Sequence, residues 1–526
     1  MTAAQHKPNI VFVVLDTHRV DRLGCYGYTR DTTPNLDTFA RDATVFENAI
    51  SPAQWTVPSH ASMFSGEPPS THMALHASDM LDPCYRTLAE RLRSSGYRTV
   101  GFCNNPLVGI VNNGLKRGFD LFYNYSGAIR SVPAKPSDRN FTPFRAARER
   151  FTQILRKISY PIQNAFANSA QLFHAAVNPV WVPLWTRFAR FKGNTGGSIR
   201  DASTFVRQQV KSGDGQPWFL FINLMETHHP LSAPERFAEA FVPHWREGRA
   251  ARDFMQAFTA HAVEWLTPPD KPLSEWEQQT LSGMYDAEVA YQDHLLAELL
   301  TTLDSPQSRK DTMVIFVADH GEMLGEHEMM GHGFGAYQEL IHVPLLIRFP
   351  GQSTGRRIAD RVSATRLFHT VLDAAGFETY ETSYSHAVDV HSQSLMRLPP
   401  AANKPQPAVF CEAYAPQFAL ELVERHKPNL LETPYFRATH RAAYDGAYKL
   451  IHVEDLCDEL YALDADPREM HDLVASEPEP ARELAERLGQ FVDKAVSRRP
   501  ENWSPEEVSL DSEIVQQRLR ELGYIE

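Results

Sequence analysis

A chain of 526 residues is too long for one small core, and its length alone predicts two to four structural units. With 43% hydrophobic and 22% charged residues it has the composition of a globular enzyme, and a formal net charge of −13 disfavours any general grip on nucleic acid. No apolar run reaches the ~18 residues of a membrane-crossing helix, the start (M-T-A-A-Q-H-K) lacks an export pattern, and the 5 scattered cysteines form no close pair; a reduced, cytoplasmic location is expected.

P-N-I-V-F-V-V-L-D is a short β-branched apolar run ending in Asp16, and it reads as a buried parallel strand. T-T-P-N-L-D-T-F-A-R-D-A follows as a helix, with Pro34 in its first turn and Thr32 or Thr33 as cap. T-V-F-E-N-A-I is a second strand candidate and residues 58–64 a second helix, which puts Thr56 at a helix N-terminus just ahead of Pro58. Arg86–Ser95 reads as an amphipathic helix and R-T-V-G-F-C as a strand. W-F-L-F-I-N-L, M-V-I-F-V-A-D and V-P-L-L-I-R-F are three more buried strands. Strands alternating with helices over residues 1–383 predict an α/β sandwich, with a large, mostly parallel sheet between helices. In such sheets ligands collect beyond the C-terminal strand ends, where Asp16 and Asp319 both lie.

Two stretches depart from that pattern. Residues 126–192 hold eleven Lys and Arg against Asp138 and Glu149 alone, a net of +9, and include the aromatic run V-W-V-P-L-W-T-R-F-A-R-F. They read as an insertion over or near the active face: a surface excursion packing its aromatics inward, or else a lid, a partner surface or a patch for a membrane surface. Residues 384–526 read as a smaller α+β unit. P-A-V-F-C-E-A, A-A-Y-D-G-A-Y-K-L-I-H-V and E-L-Y-A-L-D alternate like antiparallel strands, A-R-E-L-A-E-R-L-G-Q-F-V-D-K-A-V is a helix, and the tail ends in Q-Q-R-L-R-E-L-G-Y-I-E.

Four places could carry chemistry. Asp16 at its strand end could hold a metal or cap a turn. Thr56 could be a plain N-cap hydroxyl, yet the same geometry offers free N–H groups and a helix dipole to an anion. Asp319 and His320 leave a buried strand into V-A-D-H-G-E-M-L-G-E-H-E-M-M-G-H-G, where seven ionisable residues fall within fourteen positions; a metal site explains this better than a solvated surface. His228 and His229 close another strand in F-I-N-L-M-E-T-H-H-P.

Taken in order, these segments resemble the sulfatase family of the alkaline phosphatase superfamily over nearly all of the chain outside residues 126–192. P-N-I-V-F-V-V-L-D with C-Y-G-Y and T-P-N-L-D is similar to the family's opening strand, loop and helix. T-V-P-S-H-A-S-M-F-S-G resembles its C-x-P-x-R-A-S-x-x-x-G nucleophile segment, T-H-H-P its P-H-x-P turn, and A-D-H-G-E through V-P-L-L-I-R-F-P-G its second metal segment. E-L-Y-A-L-D-A-D-P-R-E is similar to the family's C-terminal strand and acidic loop. The resemblance implies that Asp16, Asp319 and His320, with the Thr56 hydroxyl, hold a divalent metal ion. It implies that His228 meets the substrate's anionic group, and that His60 and His332 stand where the family has arginine and lysine.

The departures bear on the reaction. Threonine at position 56 cannot be oxidised to the formylglycine on which sulfatases depend. Thr17 replaces a second aspartate, and F-C-N-N-P-L-V-G offers Asn104 and Asn105 where the family carries a lysine. Such a site resembles the threonine-nucleophile members of the superfamily, which act on phosphate or phosphonate esters. A sulfate on threonine has no aldehyde to collapse to, whereas a phosphothreonine can be hydrolysed by an oriented water. Phosphate or phosphonate mono- or diester hydrolysis through Thr56 is therefore expected, ahead of sulfate ester hydrolysis without formylglycine and of an inactive binding module. His332 or His228 would protonate the leaving group, while His60, Asn104, Asn105, His228 and His332 surround the substrate. The donor set suits Zn²⁺ or Mn²⁺ better than Ca²⁺, with His60, His228 and His332 as an alternative second-metal set. The expected partner is a small anionic ester; oligomeric state is left open.

Overall fold

A computed structural model describes residues 7–125, 192–382, 385–398, 408–500 and 516. The basic stretch anticipated as an insertion thus lies outside the described residues except for Lys192, as does the C-terminal tail except for Gln516. Among the described residues eight strands build the main sheet: β1 (Asn9–Leu15), β2 (Thr44–Ile50), β3 (Arg98–Cys103), β4 (Leu121–Asn124), β5 (Trp218–Leu224), β6 (Thr312–Val317), β7 (His342–Arg348) and β8 (Arg356–Ser363). Their order across the sheet is β8-β2-β7-β6-β1-β5-β3-β4. All pairings are parallel except those of β7, which runs antiparallel to β2 and β6. The chain leaves β6 at its C-terminal end, loops through residues 318–341 and re-enters the sheet from that same end, so β7 must run backwards.

β1 lies at the centre, paired with β5 from Ile10↔Phe219 to Leu15↔Leu224 and with β6 from Asn9↔Thr312 to Val14↔Val317. Its side chains alternate between two cores: Ile10, Phe12 and Val14 into one, Val11, Val13 and Leu15 into the other. Burial on both faces is why this strand reads as an uninterrupted apolar run. Helices α1 (Pro34–Ala40), α4 (Thr195–Ser212) and α5 (Glu275–Leu303) cover the second face. Helices α2 (Thr56–Ser65), α3 (Leu88–Ser94) and α6 (Arg366–Ala374) cover the first.

A second sheet of four antiparallel strands, β9 (Val409–Ala413), β10 (His440–Asp445), β11 (Tyr448–Val453) and β12 (Cys457–Ala462), follows in simple order. One face, with Ala442, Ile451 and Val453, merges into the main core; the other, with Ala443, Leu450 and Leu460, is covered by α8 (Pro478–Val496), while α7 (Gln417–His426) packs on the main core. No disulfide links the five cysteines. Among the described residues no helix is long and apolar enough to cross a membrane.

Helix α5 passes so close to the C-terminal end of the short helix Glu235–Phe241 that one position has no room for a side chain. A Cβ on Gly283 would stand 2.6 Å from the Phe241 carbonyl oxygen and 3.0 Å from Val242 Cα, both backbone atoms. Alanine gains about 1 kcal/mol in intrinsic helix preference, but the overpacking costs about 1–3 kcal/mol. Gly283→Ala is therefore expected to lower the melting temperature; an unchanged or raised value would show that the contact yields freely.

Candidate active site

The C-terminal ends of β1, β3, β5 and β6 and the N-terminus of α2 converge on one buried group of polar side chains. Asp16 follows β1 directly, and its carbonyl accepts hydrogen bonds from Thr17 Oγ1 (2.7 Å) and Thr227 Oγ1 (2.6 Å). Asp16 Oδ2 accepts from Asn105 Nδ2 at 2.7 Å and Asn223 Nδ2 at 3.2 Å, whereas the buried Oδ1 has no hydrogen-bond partner. Asp319 is held in the same way. Its Oδ1 accepts the backbone N–H of His320 (3.1 Å) and Thr17 (3.4 Å), its carbonyl takes the hydroxyls of Ser51 and Ser59, and Oδ2 is left without a hydrogen bond.

His320 Nδ1–H donates to the Gly321 carbonyl at 2.9 Å, which leaves the Nε2 lone pair facing inward. That Nε2 lies 3.5 Å from Asp319 Oδ2, 3.8 Å from Asp16 Oδ1 and 3.3 Å from Thr56 Oγ1. Ligand atoms of Asp16, Asp319 and His320 all fall within 4.8 Å of one another. Burial pushes the Asp16 carboxyl up to about 6 despite its two amide partners. Burial, then the charge of Asp16, raises Asp319 well above the carboxylate range, while burial and His332 hold His320 well below 6.5. Two orphaned carboxylate oxygens and an imidazole lone pair in a water-excluded spot are a donor set that a divalent cation fits.

Thr56 is the first residue of α2, after Trp55 in extended conformation; its hydroxyl makes no capping bond and instead meets His320 and, at 3.5 Å, Asn105 Nδ2. The helix is buried throughout and ends at Gly66 in the left-handed region (φ 78°). One turn on, His60 Nδ1–H donates back to the Thr56 carbonyl at 2.9 Å and lies 3.4 Å from Asp319 Oδ2. Its ring meets Phe64 and Phe221 edge to face, and burial lowers its pKa to about 4. His60 is thus packed behind the carboxylates, a place suited to orienting them.

The structure brings His332 and His228 to the other side of His320. The ring centroids of His320 and His332 are 4.6 Å apart, and those of His332 and His228 5.0 Å. His332 Nδ1–H donates to Glu322 Oε1 at 2.9 Å, and its buried Nε2 has no hydrogen-bond partner. His228 Nδ1–H donates to the His229 carbonyl at 2.6 Å. Asn104 does not join the group: its amide turns to Thr195 Oγ1 (2.8 Å) and the Lys192 carbonyl (3.3 Å). Nor do His60, His228 and His332 form a set of their own. Among the described residues the other close group of metal-type ligands is His327, Glu339 and Glu469, where the buried Lys449 ammonium already lies 2.5 Å from Glu469.

Several contributors went unread in the sequence. Asn223, which holds Asp16, was visible only as one amide in an apolar run; Glu322, which orients His332, was one acid among many. Thr17 was singled out in the sequence, but not its backbone, which adopts φ 57°, a strained conformation for a β-branched residue. Tyr285 fixes it by donating its hydroxyl to the Thr17 carbonyl at 2.6 Å.

This constellation lies on the fold that its relatives share. Residues 8–377 match the family model described as Sulfatase, and the chain belongs to the sulfatase family of the alkaline phosphatase superfamily. It is 23% identical over 381 residues to the protein named uncharacterized sulfatase YidJ of Escherichia coli (strain K12), covering 71% of this chain and 69% of that one. It is 24% identical over 509 residues to arylsulfatase K of Xenopus laevis, covering 93% and 83%. The phosphonate monoester hydrolase of Agrobacterium radiobacter has the same fold, with a TM-score of 0.62, 21% identity and coverage of 93% of this chain and 96% of that one.

The grouping makes a direct prediction about metal content. Asp319→Asn and His320→Ala are each expected to lose bound metal, measured by elemental analysis, and ester hydrolysis together. Full metal content in both inactive variants would contradict the ligand assignment.

Proposed function

We propose that the protein is a metal-dependent hydrolase of phosphate or phosphonate esters, with Thr56 as covalent nucleophile. The observation that carries this reading is the position of the Thr56 hydroxyl. It starts a buried helix, makes no capping bond, and points at His320 beside two carboxylate oxygens without partners. Asp16, Asp319, His320 and Thr56 would hold a divalent cation there, whose positive charge would acidify the hydroxyl and polarise the ester. Two carboxylates, a hydroxyl and an imidazole favour Zn²⁺ or Mn²⁺ over Ca²⁺.

Thr56 Oγ, its proton released to solvent, attacks phosphorus; the bond to the leaving oxygen breaks on the opposite side as that oxygen takes a proton from a neighbouring imidazolium, and water then attacks phosphorus, returns a proton to that imidazole and frees Thr56 Oγ. The N-terminal end of the α2 dipole and the Asn105 amide, which reaches Thr56 Oγ1, lie beside the charge that develops. For the leaving-group proton, His332 is favoured over His228. His332 is oriented by Glu322 with Nε2 unengaged, whereas His228 has Nδ1 committed to a carbonyl and is held well below 6.5 by burial. A bound anion would offset that burial penalty and draw His228 towards its charged, donating form.

The names of the relatives favour sulfate esters as the second reading. Against it stands Thr56 itself, which offers no aldehyde hydrate to expel sulfate. An inactive binding module would have no need to bury three convergent ligand groups. A panel of p-nitrophenyl phosphate, phosphodiester, phosphonate ester and sulfate, with Zn²⁺ or Mn²⁺ added, tests the choice. A phosphorus ester is expected to be fastest, and Thr56→Ala to lower kcat by about three orders of magnitude or more with KM changed less. Multiple turnover of the sulfate ahead of every phosphorus ester would reject the preference, and near-normal rates in Thr56→Ala would reject the nucleophile.

A further inference from the structure

The turn that carries His228 is gripped at both ends by one buried ion pair. Lys192 is 7% exposed and Glu288, on α5, 1% exposed, and their side chains are in direct contact. Lys192 Nζ also donates to the Glu226 carbonyl at 2.5 Å, and Glu288 Oε1 accepts the Ser232 N–H at 2.6 Å. Residues 226 and 232 bracket the His228-His229-Pro230 segment. One turn further along α5, Gln292 Oε1 accepts the Glu226 N–H at 3.2 Å, so both backbone groups of Glu226 are tied to this cluster. Within the turn the His228 N–H reaches the Met225 carbonyl at 3.2 Å.

We propose that Lys192 and Glu288 form a positioning pair that clamps the 226–232 turn and so fixes the His228 imidazole against the reacting ester. The role of His228 at the ester is part of the function proposed above; the clamp itself stands on the contacts just given. Lys192 is not placed to serve as a direct cation for the substrate, since its ammonium is committed to the Glu226 carbonyl and the Glu288 carboxylate. A buried pair of this kind is weak evidence for stability, because well-packed neutral groups often serve as well. Its geometric consequence is specific: the carbonyl at the front of the turn and the N–H behind it are held by opposite members of one pair.

The test separates position from stability. Lys192→Met leaves Glu288 buried and unpaired and should lower both melting temperature and kcat/KM, the latter by about 100-fold, as an ångström-scale displacement does. The double variant Lys192→Met/Glu288→Gln removes both charges and should regain the melting temperature but not the activity, because the Glu226 carbonyl still lacks its donor. In a His228→Ala background the same pair of changes should cost less than about threefold, the non-additivity of groups that act through one another. Hydrogen exchange of the amides in 225–232 should accelerate about tenfold in the folded double variant, with β1 unchanged. Recovery of activity along with stability, a full additional loss in His228→Ala, or unchanged exchange in the turn would each overturn the clamp. Kinetics are read on whichever ester the wild-type enzyme turns over fastest, so a sulfate preference would sink the phosphorus reading and leave the clamp standing. Exchange reads the turn without substrate.

Discussion

Polar side chains buried on α5 must find partners or leave their groups desolvated, and the partners they find are the loops of the active site. Tyr285 takes the Thr17 carbonyl and receives the Arg19 N–H (2.9 Å) beside Asp16. Glu288 and Gln292 hold the His228 turn. Gln278, half-buried on the same helix, donates to the Leu324 carbonyl at 2.7 Å and steadies the loop between His320 and His332. Asp293 accepts the N–H groups of Asn35 (3.0 Å) and Leu36 (2.9 Å), capping α1 where Thr33 makes no cap of its own. One helix thus sets the relative positions of loops that lie hundreds of residues apart in sequence.

That constraint suits the chemistry proposed. Catalysis by charge stabilisation depends on donors that need not reorganise when charge appears, and His60, His228, His320 and His332 each have Nδ1 fixed by the fold. His320 and His60 give Nδ1–H to carbonyls, and His332 gives it to Glu322. The tautomers follow from these bonds, and with them the direction of the remaining nitrogen. Asn105 and Asn223 place neutral amides rather than fixed cations on Asp16, so under the proposed function the positive charge of the site would come from the bound ion.

Strands of the central sheet were legible because their buried positions are mostly apolar and β-branched: β1, β2, β3, β5, β6 and β7 all fall where the runs predict them, although β2 also carries Glu47 and Asn48. Thr56 was placed at a helix start by Pro58, and it is the first residue of α2. What the sequence hid was polar and buried. The span 275–303 shows no simple apolar stripe, since it is enclosed on most sides and carries Tyr285, Asp286, Glu288, Gln292 and Asp293 inward. Edge strand β8, R-R-I-A-D-R-V-S, is largely charged because one side faces outward. Asn104 and Asn105 are adjacent at a strand exit, and sequence could not decide which amide turns to Asp16; the choice is made by Thr195 and Lys192, which engage Asn104.

Whether Thr56 forms a covalent bond to phosphorus is the point on which the account turns. Acid-quenched reactions with a fast-leaving phosphate or phosphonate ester, analysed by intact mass and then by peptide mapping, read it directly. A phosphoryl or phosphonyl adduct on the peptide containing Thr56, formed and lost at rates compatible with turnover, is the result predicted. Steady turnover of that ester with no adduct at any quench time, and with Thr56 unmodified, would mean that water attacks directly and would contradict the mechanism.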